Sequence, residues 1–123
     1  MYIPRSIESD VKNNLFQGKV IIIYGPRQTG KTTLVKNLVS QINKPFGYFN
    51  CDEADIRDQL NAAGTSSQLK EIVGNNELII IDEAQRVENI GLKLKLLVDN
   101  FPHQQIIATG SSSFELADEI TEP

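Results

Sequence analysis

The sequence is poor in the features that mark specialised protein classes. It has a single cysteine, Cys51, so no disulfide forms within the chain and a disulfide-stapled secreted fold is excluded. No basic stretch leads into a long apolar run, so neither a signal peptide nor a membrane span is read, and the expected compartment is cytoplasmic. Positive charge is in deficit. Twelve Lys and Arg against sixteen Asp and Glu leave a net charge of −4, which gives no field to attract nucleic acid or an anionic membrane. Any polyanion must therefore be held by a local device. Gly, Pro and Ser fall between periodic segments in runs no longer than Gly110-Ser111-Ser112-Ser113, without repeats, low-complexity tracts or linkers.

What remains is 123 residues, 40% apolar and 23% charged, enough for one globular domain and too few for two domains. Ser6 followed by Ile7, Val11 and Leu15, with Glu8 and Asp10 in the first turn, predicts a short helix closing at Gly18. Lys19–Tyr24 is β-branched and apolar without alternation, the pattern of a strand covered on both faces, and is expected to be central. Leu34, Val35, Leu38, Val39 and Ile42 stripe a helix that runs to about Asn43 and is stopped by Pro45. Phe46–Phe49 reads as a short aromatic strand. Two weaker helices follow, around Ile56 and Leu60 and around Leu69 to Val73, the second ending at Gly74.

Leu78–Ile81 is a second wholly apolar strand, and Ile90, Leu94, Leu97 and Phe101 recur at helical spacing. The LKLKL run inside that segment alternates like a strand, but the chain needs a crossover between parallel strands, which decides for helix. Ile106–Thr109 is a further strand, with a helix expected to start near Phe114. Alternation of strand and helix throughout predicts an α/β fold: a mostly parallel sheet with helices on both faces.

Three motifs sit on this frame. Gly25, Pro26, Arg27, Gln28, Thr29, Gly30, Lys31 and Thr32 spell G-x-x-x-x-G-K-[ST] between a predicted strand and a predicted helix, with Thr33 next in line. Glycines let the backbone close around phosphate oxygens, the helix turns its positive end toward them, Lys31 adds a movable charge and the Thr32 hydroxyl suits magnesium. A plain glycine turn capping the helix is the bland alternative. Second, the apolar strand ends in Asp82 and Glu83, an arrangement that resembles a Walker B element. Asp82 suits magnesium, usually through water, and Glu83 suits activation of an attacking water. Their alternative role is to cap the next helix. Third, Thr109 and Ser111 in Thr109-Gly110-Ser111-Ser112-Ser113 each offer a hydroxyl able to sense a γ-phosphate, against a serine-rich turn that merely caps the Phe114 helix.

Other residues carry less. Arg5, Arg27 and Arg86 are conceivable arginine fingers, though more often such residues are simply surface arginines. His103 reads as solvated, Cys51 as packing, and Lys93 and Lys95 as solvent-facing. GTP specificity lacks its support, because the one Asn-Lys pair continues as Asn43-Lys44-Pro45-Phe46 without an aspartate. No Leu-Ser-Gly-Gly-Gln signature of transporter ATPases is present.

Taken together, GPRQTGKTTL, LIIIDEAQR and IIATGSSSFEL, with Ile3-Pro4-Arg5 at the start, resemble the prokaryotic AAA-type P-loop ATPases that carry an additional C-terminal domain of unknown function. The resemblance spans essentially the whole chain. It implies a three-layer P-loop core, ATP and Mg2+ as ligands, Gly30, Lys31 and Thr32 on phosphate and magnesium, Asp82 on magnesium, Glu83 on water, and Thr109 or Ser111 as sensor. It also implies a sheet in which the sensor strand lies between the P-loop strand and the acidic strand. Proteins of this kind continue into a last core strand, a lid and the extra domain, whereas this sequence stops at Thr121-Glu122-Pro123. Residues 1–123 are accordingly expected to be an N-terminal ATPase core, with Lys19–Tyr24 as an open edge prone to self-association. The expected function is an ATPase that hydrolyses ATP in the complete protein to drive a conformational or assembly change, with weak or absent turnover in residues 1–123. The alternatives are a nucleotide-dependent switch or interaction module with little or no hydrolysis and a nucleic-acid-associated ATPase. No motif names an effector.

Overall fold

The computed structural model describes residues 15–24 and 31–110. Four strands and four helices alternate: β1 (Ile21–Tyr24), α1 (Lys31–Ile42), β2 (Phe46–Asn50), α2 (Ala54–Ala62), α3 (Ser66–Val73), β3 (Leu78–Asp82), α4 (Ile90–Asn100) and β4 (Gln105–Gly110), with a 3-10 turn at Ala84–Arg86. The strands are all parallel in the order β1-β4-β3-β2. The expected placement of the Ile106 strand between the P-loop strand and the acidic strand is thus the one observed.

The crossovers explain where the helices lie. The chain passes from β1 to β2 across the sheet in one direction, then steps back through β3 and β4 in the other. A constant crossover hand then puts α1 on one face and the later helices on the opposite face. Two separate cores result. Val35 and Leu38 of α1 pack with Ile23, Leu78, Ile80 and Ile107, whereas Leu60, Leu69, Val73, Ile90, Leu94 and Leu97 pack with Ile79, Ile81, Ile106 and Ala108. Alternate residues of one strand therefore serve alternate cores, which is why β3 and β4 are apolar without alternation and buried along their whole length.

The expectation that Lys19–Tyr24 is central is corrected here. Within the described sheet the central strands are β4 and β3, and β1 pairs on one side only, with β4, leaving Ile23 as its one fully buried residue. An apolar run shows that both faces are covered and says nothing about both edges. Lys19 and Val20 precede the strand. Of the helix expected over Ile7 to Gly18, only the last residues fall among those described, and they form a turn with left-handed Phe16 (φ 58°) and Gly18 (φ 73°). Gln105, fully buried at the start of β4, holds that turn: its Nε2 donates to the Lys19 carbonyl at 2.9 Å and its Oε1 accepts from the Phe16 N–H. The expected Phe114 helix lies outside the described residues.

Lys93 is a second correction. It is not solvent-facing but buried on the inner side of α4, where its Nζ donates to the Leu60 and Asn61 carbonyls at 2.8 and 3.2 Å. Those carbonyls belong to the last turn of α2, where a cation meets the negative end of the helix, and that of Leu60 also accepts from the Ala63 N–H at 3.3 Å. Burial lowers its pKa from the ordinary lysine value, and Glu88 acts in the opposite direction. Lys95, two residues on, is exposed as expected.

Candidate functional site

Because the strands are parallel, all four deliver their carboxyl ends to one edge of the sheet, and α1 begins at that edge with Lys31. This is where open α/β sheets bind ligands. Of the phosphate-loop candidates, Gly25, Pro26, Arg27, Gln28, Thr29 and Gly30 lie outside the described residues, as does Ser111. Lys31 and Thr32 open α1, and Thr33 is exposed in its first turn.

The described part of the site is built around Asp82. Residues 78, 80 and 82 share a face of β3, and Leu78 and Ile80 pack toward α1, so Asp82 points to the side of the sheet that carries the P-loop helix. Its carboxylate is buried, 5% exposed, and each oxygen receives a hydroxyl: Oδ1 from Thr109 on β4, Oδ2 from Tyr48 on β2. Two O–H donors replace the water lost on burial. The Thr109 hydroxyl, itself wholly buried, also accepts from the Glu83 N–H at 3.0 Å. One threonine thus fixes the carboxylate of Asp82 and the backbone of Glu83.

Glu83 is 6% exposed and left-handed, with φ 55° and ψ 46°. That conformation costs a non-glycine residue roughly 1–2 kcal/mol and recurs where the surroundings over-determine the backbone. Its Oε1 accepts from Gln85 Nε2 at 2.9 Å. Glu83 occupies the N-cap position of the 3-10 turn, where its carbonyl accepts from the Arg86 N–H at 3.2 Å but its side chain makes no capping bond, and α4 is entered through Asn89. The loop after β2 is tied to the same corner. Cys51 N–H donates to the Asp82 carbonyl at 2.9 Å, Arg57 holds the Cys51 and Asp52 carbonyls, and Arg86 reaches Asp52 at 3.0 Å. Arg86 is therefore engaged within the chain, while Arg5 and Arg27 lie outside the described residues. His103 is exposed in its loop.

Tyr48 is the site residue that the sequence reading missed. A signal existed: in a parallel pair Tyr48 faces Ile80, so it stands on the same face as Asp82 one pleat away. Only the strand order makes the two strands neighbours, and that is not written in the β2 segment. Burial and then the Asp82 hydrogen bond push the phenol well above its usual range, so it remains a donor at neutral pH.

Cys51 is fully buried, as its packing role requires, and burial first, then Asp82 and Asp52, push its thiol from 9.0 up to about 12. The folded state favours the protonated thiol. The associated stability is complete below pH 9.0 and is lost as pH rises through the folded value of about 12. Over that window Cys51 is expected to contribute a loss of up to about 1.4 kcal/mol per pH unit. Urea midpoints at mildly and strongly alkaline pH check this: Cys51→Ala should flatten the decline, and an unchanged slope would refute it.

Among the described residues no cluster of three or more His, Cys, Asp or Glu is able to hold a metal ion. The donor described at the site is the buried Asp82 carboxylate, a hard oxygen ligand on the α1 side of the sheet. Among the described residues no helix is long and apolar enough to cross a membrane.

A family model described as an AAA domain matches residues 17–123. The chain belongs to the AAA domain family. This AAA domain is similar in fold to a DNA replication initiation factor, with a TM-score of 0.61 and 18% identity over 98% of this chain and 45% of that one. It is likewise similar to AMPPCP-bound DnaA from Aquifex aeolicus, with a TM-score of 0.55 and 16% identity over 100% of this chain and 46% of that one. The chain thus spans less than half the length of either structure. No curated protein matches the sequence. The family and the fold point to nucleotide binding, and the likeness to these two structures is one of fold.

Proposed function

We propose that this AAA domain binds Mg-ATP and hydrolyses it to drive a conformational or assembly change. The observation that carries the reading is the corner in which Thr109 joins the Asp82 carboxylate to the Glu83 backbone, at the strand ends beside the start of α1. In this reading the loop Gly25 to Thr33, through its backbone N–H groups other than at Pro26, and the Lys31 ammonium bind phosphate, and the Thr32 hydroxyl and Asp82 hold magnesium. When bound, the ion neutralises phosphate charge. Glu83 accepts a proton from the attacking water, and Thr109 or Ser111 serves as sensor. The AMPPCP bound by DnaA, whose fold this chain shares, supports an adenine nucleotide as the ligand.

A second reading is a nucleotide-dependent switch with little turnover, and it has its own observation. The Glu83 carboxylate is held by Gln85, so the proton acceptor is restrained. Calorimetric titration with ATP, ADP and GTP in magnesium, run beside a phosphate-release assay, separates the two. Adenine-nucleotide binding with release supports the ATPase, binding without release supports the switch, and no binding to a folded sample refutes both. The position of β1 at one end of the strand order, with an apolar sequence, also supports self-association. Sedimentation is expected to show a concentration-dependent increase in mass, and a sharp monomer at high concentration counts against it.

A further inference from the structure

The Asp82 carboxylate is pinned from both sides by strands that are not neighbours of each other. Thr109 comes from β4 and Tyr48 from β2, and each donates a hydroxyl to a different oxygen. One hydrogen bond leaves a carboxylate free to swing about its own side-chain torsions, whereas donors on both oxygens fix the plane of the group. The two donors are not equivalent. Thr109 is wholly buried and also carries the Glu83 backbone, so its loss disturbs the fold. Tyr48 stands on the outer strand, 39% exposed, and with Val35 and Val39 of α1 lines the groove between that helix and β2. Its hydroxyl has one described task, the bond to Asp82.

We propose that Tyr48 is a positioning residue for magnesium, acting through Asp82 by orienting its carboxylate from the edge strand. The proposal rests on the reading of Asp82 as the residue that holds the ion. It makes the β2 edge part of the nucleotide site, although no residue of β2 belongs to the phosphate-loop or acidic motifs. It also gives an aromatic at this position a reason beyond packing, since phenylalanine fills the same space without supplying the donor.

The test is calorimetric titration of ATP into the full chain at a series of magnesium concentrations and in EDTA, for the wild type, Tyr48→Phe, Asp82→Asn and the double variant. Tyr48→Phe keeps the half-exposed ring and should melt close to the wild type. It is expected to raise the magnesium concentration needed for half-maximal tightening of ATP binding roughly 10-fold, the usual cost of losing a group that orients a metal ligand. Affinity in EDTA should not change, which a general loosening of the fold would not spare. In the Asp82→Asn background the tyrosine change is expected to add nothing. A Tyr48→Phe chain that follows the wild-type magnesium curve, or that weakens ATP binding equally in EDTA, overturns the role of Tyr48 alone. A wild type whose ATP affinity ignores magnesium overturns the reading of Asp82 and the proposal with it.

Discussion

Glu83→Gln is expected to leave ATP binding within a few-fold of the wild type and to lower phosphate release by roughly 10²- to 10⁴-fold, the range that a positioned general base supplies. The structure makes this a clean substitution. Glutamine has the size of glutamate and retains an oxygen to accept from Gln85 Nε2, and the backbone bond from residue 83 to Thr109 involves no side-chain atom of Glu83. What is lost is the charge and basicity of the carboxylate. Lys31→Ala is its counterpart: the lysine is read as a direct phosphate ligand, so ATP binding itself should disappear. The two variants therefore separate binding from chemistry, and measuring both by calorimetry and phosphate release gives each a distinct signature. Unchanged turnover in Glu83→Gln would remove Glu83 from the proposed mechanism. Retained ATP affinity in Lys31→Ala would remove the phosphate loop from it.

Thr109→Val carries the second large effect, on stability as well as on the site. Valine has the shape of threonine, so no cavity forms, but two buried bonds vanish together: the donor to Asp82 and the acceptor for the Glu83 N–H. Each buried polar group left unmatched costs about 1–3 kcal/mol, giving an expected loss of roughly 2–5 kcal/mol. Thr109→Ser keeps the hydroxyl and gives up one methyl, worth about 0.8 kcal/mol. Urea unfolding distinguishes them, with the serine variant near the wild type and the valine variant far below it at similar slope. Equal losses in the two variants would show that the methyl, and not the hydroxyl, matters. The prediction also bears on the sensor role: the Thr109 hydroxyl already serves Asp82 and Glu83, so its first effect is on the geometry of the acidic pair.

How much could be read in advance differs from element to element. β3 and β4 were legible because a strand buried on both faces must be apolar throughout, and α4 because Ile90, Leu94 and Leu97 keep a helical period. Lys93 was misread because a lysine inside an alternating LKLKL run looks like a solvated face. Its role depends on the end of α2 lying within reach of Nζ, a contact between residues more than thirty positions apart. No sequence motif sets Gln104 and Gln105 apart. Both are buried, Gln104 donating to the Gly74 and Asn76 carbonyls and Gln105 clamping the turn before β1. The position of β1 was misjudged from its own apolar pattern because covering of faces and pairing of edges are independent properties.

The sequence by itself determined the alternation of strands and helices, the phosphate-loop motif between β1 and α1, and the acidic pair at the end of β3. These are local facts, set by periodicity and by the chemistry of adjacent residues. Only the tertiary structure decided that Thr109 joins the two acidic residues and that Tyr48 reaches Asp82 from the outer strand. The reason is physical: strand order is fixed by which crossovers bury both cores at once, a condition on the whole chain that no single segment records.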